Sequence, residues 1–408
     1  MKIHCSEGSA AEAYAQLFEL DYDHETDPEN LIYEEVLEER EDGTVFLWHV
    51  YKDHVNLVNA GVPDEMMELV IPEGYDGKPL RAIEKPAGNR DDFQNRYWVS
   101  KVTLPACVEE IDNEFFYDMR YLETIGIPEE AEHFRTADGI LYSKDGSTLF
   151  AYPRNSRVTD LIISEGIREI ADKACYFAEN LKSVVFPSSM EIVGRYALAS
   201  CGRLTHVEFN DGLKEIRYGG FNSTPLENVV LPDSVEIIST FAFSVSDAFG
   251  EIRLPENLKM LGSSAFGVLR YDEKFRQDTV YLPANVLMEY DPFNKIFYHD
   301  YEVSADNQNY AVWNGMLFSR DMKKLLRVPP LQEGPVYLPE DLQEIGYSAF
   351  DPGMDLATDV YLPDHLTSIG NVYYEDYNTG KKLTIHAHPG TETAKLLDAR
   401  DVEWIPIP

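Results

Sequence analysis

The residues of this chain that could do chemistry are a histidine pair, scattered cysteines, clustered carboxylates and regularly spaced aromatics. His386 and His388 form an H-x-H pair. On a strand, alternation points both rings to one side, which can hold a metal ion if a third ligand joins them. No third ligand stands at a recognisable spacing, and solvated histidines on a terminal strand are the simpler reading, so no metal is expected. Cys5, Cys107, Cys175 and Cys201 stand singly without C-x-x-C spacing. They read as small buried hydrophobes and not as a zinc or redox motif. Asp91-Asp92 and the run from Glu38 to Asp42 lack the ligand spacing of a calcium loop and read as solvated charge.

Catalysis needs a nucleophile, a base and an orienting partner converging in one pocket. The sequence contains no G-x-S-x-G elbow, H-E-x-x-H, P-loop or post-strand G-x-G-x-x-G, each of which marks a known way of building such a site. No catalytic residue and no cofactor is expected, and the chain is read as not an enzyme.

The 72 Asp and Glu outweigh 35 Lys and Arg, leaving a formal net charge of -37. That field repels a polyanion and no basic stripe overrides it, so nucleic acid is excluded as a partner. Its other reading is a solubilising surface. No apolar run reaches the roughly 18 residues a membrane span requires. The start MKIHCSEGSAAEAYAQ lacks a basic segment followed by an apolar one. The chain as written is therefore expected to be cytoplasmic by default, or secreted or cell-surface if a leader was removed.

These side chains must be positioned by a repeat. A pair of apolar residues separated by one position, usually followed by Pro, recurs along the chain: Val184, Phe186 and Pro187; Val229, Leu231 and Pro232; Ile252, Leu254 and Pro255; Val336, Leu338 and Pro339. Three residues on comes another apolar residue, three further an Ile, Val or Leu, and four beyond that a small residue often followed by Phe. Leu342, Ile345, Ala349 and Phe350 show the whole frame. The Pro position recurs after 23, 23, 22 and 23 residues between 164 and 255, the spacing of leucine-rich repeats. The apolar pair alternates with period two, so it is a short strand with both side chains inward. Proline, lacking an N–H, ends the ladder. The A-F stretch is too short for an independent helix and is expected to be a 3₁₀ or single-turn element.

Two segments interrupt the coils. Gly139 to Pro153 and Gly315 to Pro329 match at a constant offset of 176 residues, and Asp145-Gly146 is a hairpin turn signal in the first. The chain ends also resemble each other, with Ser9 and Thr391 as expected N-caps of helices over 10–18 and 392–399. The expected organisation is an N-terminal strand, helix and acidic segment at 1–40; a solenoid at 41–383 with hairpin inserts near 134–153 and 302–330; and a capping strand and helix at 384–408.

Taken together, DGTVFLWHVY from Asp42, ELVIPEGYDGKPLRAI from Glu68, the I-P-x-x-V/L-x-x-I-G-x-x-A-F coils, the D-G-I-L-Y-S insert and the terminal G-T/S helix resemble the BspA-like leucine-rich repeats of bacteria. The resemblance runs from about residue 40 onward. Departures include Ser164 and Asn210 at the Pro position, a stretched region at 268–300 and an insertion at 84–97. The fold implied is an α/β, right-handed leucine-rich-repeat solenoid, with short parallel strands on the concave face and 3₁₀, short helical or irregular segments on the convex face. The resemblance also implies an interaction protein, since such repeats are often associated with adhesion.

Stacking would align the residue between the two apolar strand positions on the concave surface. That ladder includes Val70, Ile162, Val230, Arg253, Tyr281, Arg327, Tyr337 and Tyr361. The candidate partner-binding residues are Arg253, Tyr281, Arg327, Tyr337 and Tyr361, as anchors for a protein or glycan. Strand propensity alone would also favour such residues. The expected function is a non-enzymatic binding scaffold; an intracellular structural or assembly protein is the alternative.

Overall fold

The computed structural model describes residues 3–5, 22–24, 34–64, 66–86, 96–227, 229–246, 252–268, 276–347, 349–350, 356–370 and 382–408. The expected helix at 10–18, its Ser9 cap and Asp91-Asp92 lie outside the described residues. The chain divides into two compact units, Met1–Asp145 with Pro153–Asn155, and Gly146–Tyr152 with Ser156–Pro408.

In the first unit the alternating runs Glu34–Glu39, Val45–Val50 and Val55–Gly61 form an antiparallel meander. Val55–Gly61 then pairs parallel with Lys78–Ile83, and that strand with Glu110–Ile111. A second parallel set joins Glu68–Val70, Lys101–Thr103 and Thr124–Gly126. Phe46 and Trp48 are fully buried, and the Trp48 indole N–H donates to Glu38 Oε2 at 2.8 Å, which satisfies its polar edge. Arg96 is buried too, donating to Asn59 Oδ1 and the Phe115 carbonyl with its guanidinium over the Phe115 ring. Burial pushes its pKa down to about 10.

The second unit is a solenoid stack joined coil to coil by three hydrogen-bonded ladders. The first consists of the predicted apolar-pair strands: Asp160–Ile162, Ser183–Val185 and His206–Glu208 run parallel and in register. Gly334–Tyr337, Ala357–Tyr361, Thr384–Ala387 and Ile405–Pro406 also run parallel further on, with a register shift between Gly334 and Val336. The second ladder consists of two-residue strands at the Ile/Val/Leu position, Glu169–Ile170, Ile192–Val193, Glu215–Ile216, Ile237–Ile238, Met260–Leu261 and Leu287–Met288.

The third ladder is the A-F stretch, and it is not helical. Cys175 N donates to Ala197 O at 2.7 Å and Phe177 N to Ala199 O at 3.1 Å; one coil later, Leu198 N donates to Gly220 O and Ser200 N to Asn222 O, both at 2.8 Å. A helix keeps its N–H groups to itself, whereas here alternate N–H groups reach the next coil and the others close local turns. Residues with positive φ, such as Lys173 (57°), Phe177 (56°), Tyr196 (52°) and Ser200 (57°), provide the reversal. The α/β description is corrected accordingly. Among the described residues there is one α-helix, Glu392–Asp398, with 3₁₀ turns at Arg96–Trp98 and Asn113–Phe116.

Inside the stack, Phe221, Phe243, Phe266 and Phe293 form a column of nearly parallel rings with centroids 5.2, 5.4 and 6.0 Å apart. The two matched inserts turn at Asp138-Gly139 and Asn314-Gly315, where both residues of each pair have positive φ. This is the two-residue turn that fits strand twist. They join Phe134–Ala137 to Ile140–Ser143 and Tyr310–Trp313 to Met316–Ser319. At the C-terminal end, Thr391 Oγ1 accepts from Ala394 N at 3.2 Å, capping the helix as expected, and Leu397 packs into the core.

Candidate interaction surface

Along the first ladder the side chain between the two apolar positions of each coil points away from the interior, as at Ile162 beside buried Leu161 and Ile163. Ile162 is 75 % exposed and Val230 69 %, although both are large and apolar. Arg253 is exposed and pairs with Val230 through an isolated bridge. Tyr281 is exposed on the strand Arg276–Leu282, opposite Glu302.

Tyr337, Tyr361 and His386 occupy the same register on three consecutive strands. Their rings stack with centroids 4.7 and 4.5 Å apart and planes within 16° and 8°. Tyr337 is 55 % exposed and the other two are half-buried. His386 Nε2 lies 2.8 Å from Asp359 Oδ1, and hydrogen bonds from Thr358 and His386 hold the Asp359 carboxyl below its ordinary value. The other histidine, His388, lies 2.9 Å from Asp364 through Nδ1. Each ring is thus occupied by its own carboxylate. Among the described residues no group of three His, Cys, Asp or Glu side chains is placed to hold a metal ion.

Arg327 does not belong to this surface. It lies on Lys324–Arg327, where Leu325 and Arg327 both point inward. That strand pairs with Glu344–Ile345, so it joins the second ladder and not the first. The V-P that follows it mimics a coil start, and displacement by one residue moves a side chain to the opposite face. Arg327 is an internal cation whose Nη2 donates to Asp291 Oδ2 at 2.6 Å. Burial opposes its charge, but Asp291 and the nearby Tyr298 and Tyr301 raise its pKa.

Two outward-facing aromatic features were not among the predicted partner-binding residues. His386 completes the tyrosine stack because Ile385 and Ala387 form the last apolar pair. In the first unit, Trp98 and Tyr121 stand one 23-residue repeat apart and stack with centroids 5.0 Å apart. Tyr97 meets them edge-on, and Arg120 lies over its ring at 5.2 Å. The repeat spacing carried that signal.

Cys175 and Cys201 offer no reactive thiolate. Both are fully buried, and burial pushes the Cys201 thiol up to about 12 and Cys175 well above its ordinary value. No described helix is long and apolar enough to cross a membrane.

With parallel ladders at the repeat spacing in place, the sequence can be set against known proteins. The family described as BspA type leucine rich repeat region matches residues 89–137, 150–273 and 334–391, in 6 copies. The chain belongs to this family. No curated protein matches it in sequence. Among solved structures it is similar to a leucine-rich repeat protein from Bacteroides ovatus, at 14 % identity over 92 % of this chain and 100 % of that one, with a TM-score of 0.46. It is also similar to a leucine rich cell surface protein from Faecalibacterium prausnitzii, at 16 % identity over 86 % of this chain and 76 % of the other, with a TM-score of 0.33. The pneumococcal vaccine antigen PcpA matches at 16 % identity over 86 % of this chain and 69 % of its own, with a TM-score of 0.28. By its family match the chain is a leucine-rich repeat protein of the BspA type.

Proposed function

We propose that this BspA-type chain is a non-enzymatic scaffold that binds a protein or glycan partner along the outward side of the first ladder. The observation that carries the reading is the outward-facing Tyr337–Tyr361–His386 stack. Stacked rings are already ordered and lose little conformational entropy on binding, while their edges and hydroxyls remain available to a polar partner. Arg253 and Tyr281 extend the surface, which is proposed to be the concave side of a right-handed coil, the hand that parallel strand connections almost always take. An adhesive role fits a broad shallow surface better than a pocketed catalyst does. The segment 384–408 is proposed as the cap, since its helix gives the last coil a covered end.

The experiment is a partner screen by pull-down and glycan array, with wild type and the variant combining Tyr281→Ala, Tyr337→Ala and Tyr361→Ala. The side chains lie outside the core, so thermal melting should change little while partner binding falls at least tenfold, the effect of losing aromatic anchors. A variant that keeps every partner at full affinity overturns the assignment.

A further inference from the structure

The first ladder changes character beyond Arg253. After Arg276, its strands Arg276–Leu282, Phe297–Val303, Gly334–Tyr337, Ala357–Tyr361 and Thr384–Ala387 carry Asp278, Asp300, Glu302 and Asp359 and neither Lys nor Arg. The same strands carry the outward tyrosines, so rings and carboxylates share one face.

Two groups on this face stand side by side without partners. Tyr281 lies between buried Val280 and Leu282 and is 37 % exposed. Its register partner on the next parallel strand is Glu302, also exposed. Partners on adjacent strands lie about 4.8 Å apart and project to the same side. Among the described residues the Tyr281 ring meets no other ring and no cation, and the Glu302 carboxylate accepts no hydrogen bond and pairs with no Lys, Arg or His. Arg253, on the preceding coil, covers neither of them.

Further along the ladder the chain fills the same combination itself. The flat ring of His386 stacks on Tyr361 at 4.5 Å, and its Nε2 lies 2.8 Å from the Asp359 carboxylate. A planar nitrogen group therefore lies on a tyrosine ring and meets a carboxylate. At Tyr281 and Glu302 the ring and the carboxylate are present and the planar group is not. Guanidinium meets both demands, since it stacks flat on a ring and its N–H fork donates to a carboxylate. Lysine supplies the charge without the plane. A neutral sugar leaves Glu302 uncompensated, and an anionic glycan is repelled by Asp278, Asp300 and Glu302 as well as by the net charge of -37.

We infer that this part of the surface docks an arginine-bearing, basic protein segment, one guanidinium lying on the Tyr281 ring and donating to Glu302. The inference rests on the first-ladder reading above and narrows its partner from a protein or glycan to a basic protein segment.

The test titrates a Gly/Ser peptide carrying spaced arginines, with its lysine, citrulline and glutamate counterparts, into the full chain, read by fluorescence anisotropy at low and at physiological salt. The arginine peptide should bind several-fold more tightly than the lysine peptide, which has equal charge, and the neutral and acidic peptides should bind more weakly still. Tyr281→Ala and Glu302→Gln change exposed side chains and should leave melting unaltered, yet each should weaken the arginine peptide roughly threefold at low salt. Glu256→Gln makes the same charge change at an exposed turn outside this face and should leave binding as it was. Absence of arginine-peptide binding, equal affinity for the lysine or citrulline peptide, or equal weakening by Glu256→Gln and Glu302→Gln would each overturn the inference. A neutral glycan that binds wild type and is lost in the Tyr281, Tyr337 and Tyr361 triple variant, with no arginine peptide bound, overturns it while the surface assignment stands. An arginine peptide held at full affinity by that triple variant sinks both.

Discussion

The phenylalanine column offers the sharpest test of the stacked interior. Phe243 is fully buried, with Phe221 on one side at 5.2 Å and Phe266 on the other at 5.4 Å, the planes within 5° of parallel. Replacing it with alanine removes the burial of a whole ring, about 2–3 kcal/mol, and leaves a cavity between two rigid neighbours. Large-to-small changes of this kind total about 3–5 kcal/mol. Phe243→Leu retains most of the volume and should cost under about 1.5 kcal/mol. Because each coil rests only on its neighbours, the damage should be local. Phe221 N donates to Ala242 O and Phe243 N to Ala265 O, both at 2.7 Å, so these amides should lose hydrogen-exchange protection first. Urea unfolding read with exchange mass spectrometry measures both quantities. A loss below about 1 kcal/mol, the ordinary effect of a point change, with unaltered exchange near 221 and 243 would refute a continuous apolar stack.

Other outcomes follow from the same geometry. Arg327→Met should destabilise by about 3–5 kcal/mol because it strands the Asp291 carboxylate, whereas adding Asp291→Leu should recover most of that loss; urea midpoints of the single and double variants check it. His49 Nδ1 lies 2.9 Å from Glu84 Oε2 and its Nε2 3.5 Å from Glu35, and its hydrogen bond to the Glu84 carboxylate raises its pKa above the ordinary 6.5. A raised folded value means stability that is complete below pH 6.5 and lost as pH rises through the folded pKa; melting curves across that window should lose this slope in His49→Gln. Gly139 has φ of 75°, and a Cβ there would meet Thr124 Cγ2 at 2.9 Å. Gly139→Ala should therefore lower the melting temperature through both strain and collision, while Gly77→Ala, with positive φ but open space, should lower it less. Thr391→Ala should cost about 1 kcal/mol by removing the cap on Ala394 N, read as helix loss in exchange at 392–398.

The sequence alone determined that this chain stacks. Period-two apolar pairs, proline stops and the near-constant spacing of Ile170, Val193, Ile216, Ile238 and Leu261 are local properties that only one kind of neighbour satisfies, a copy of the same coil. The same logic exposed Tyr337 and Tyr361, whose flanking residues face inward. Tertiary structure decided the rest. Arg327 follows the local rule for an outward residue, yet the insert before it delivers its strand to another ladder, where Asp291, 36 positions upstream, makes a buried cation tolerable. The A-F segments are expected as single helical turns, but alternate N–H groups find partners on the next coil, a choice that exists only once the next coil is in place. Patterns set by neighbours in sequence are legible in the sequence, while pairings across a long insert depend on how far that insert carries the chain before it rejoins the stack.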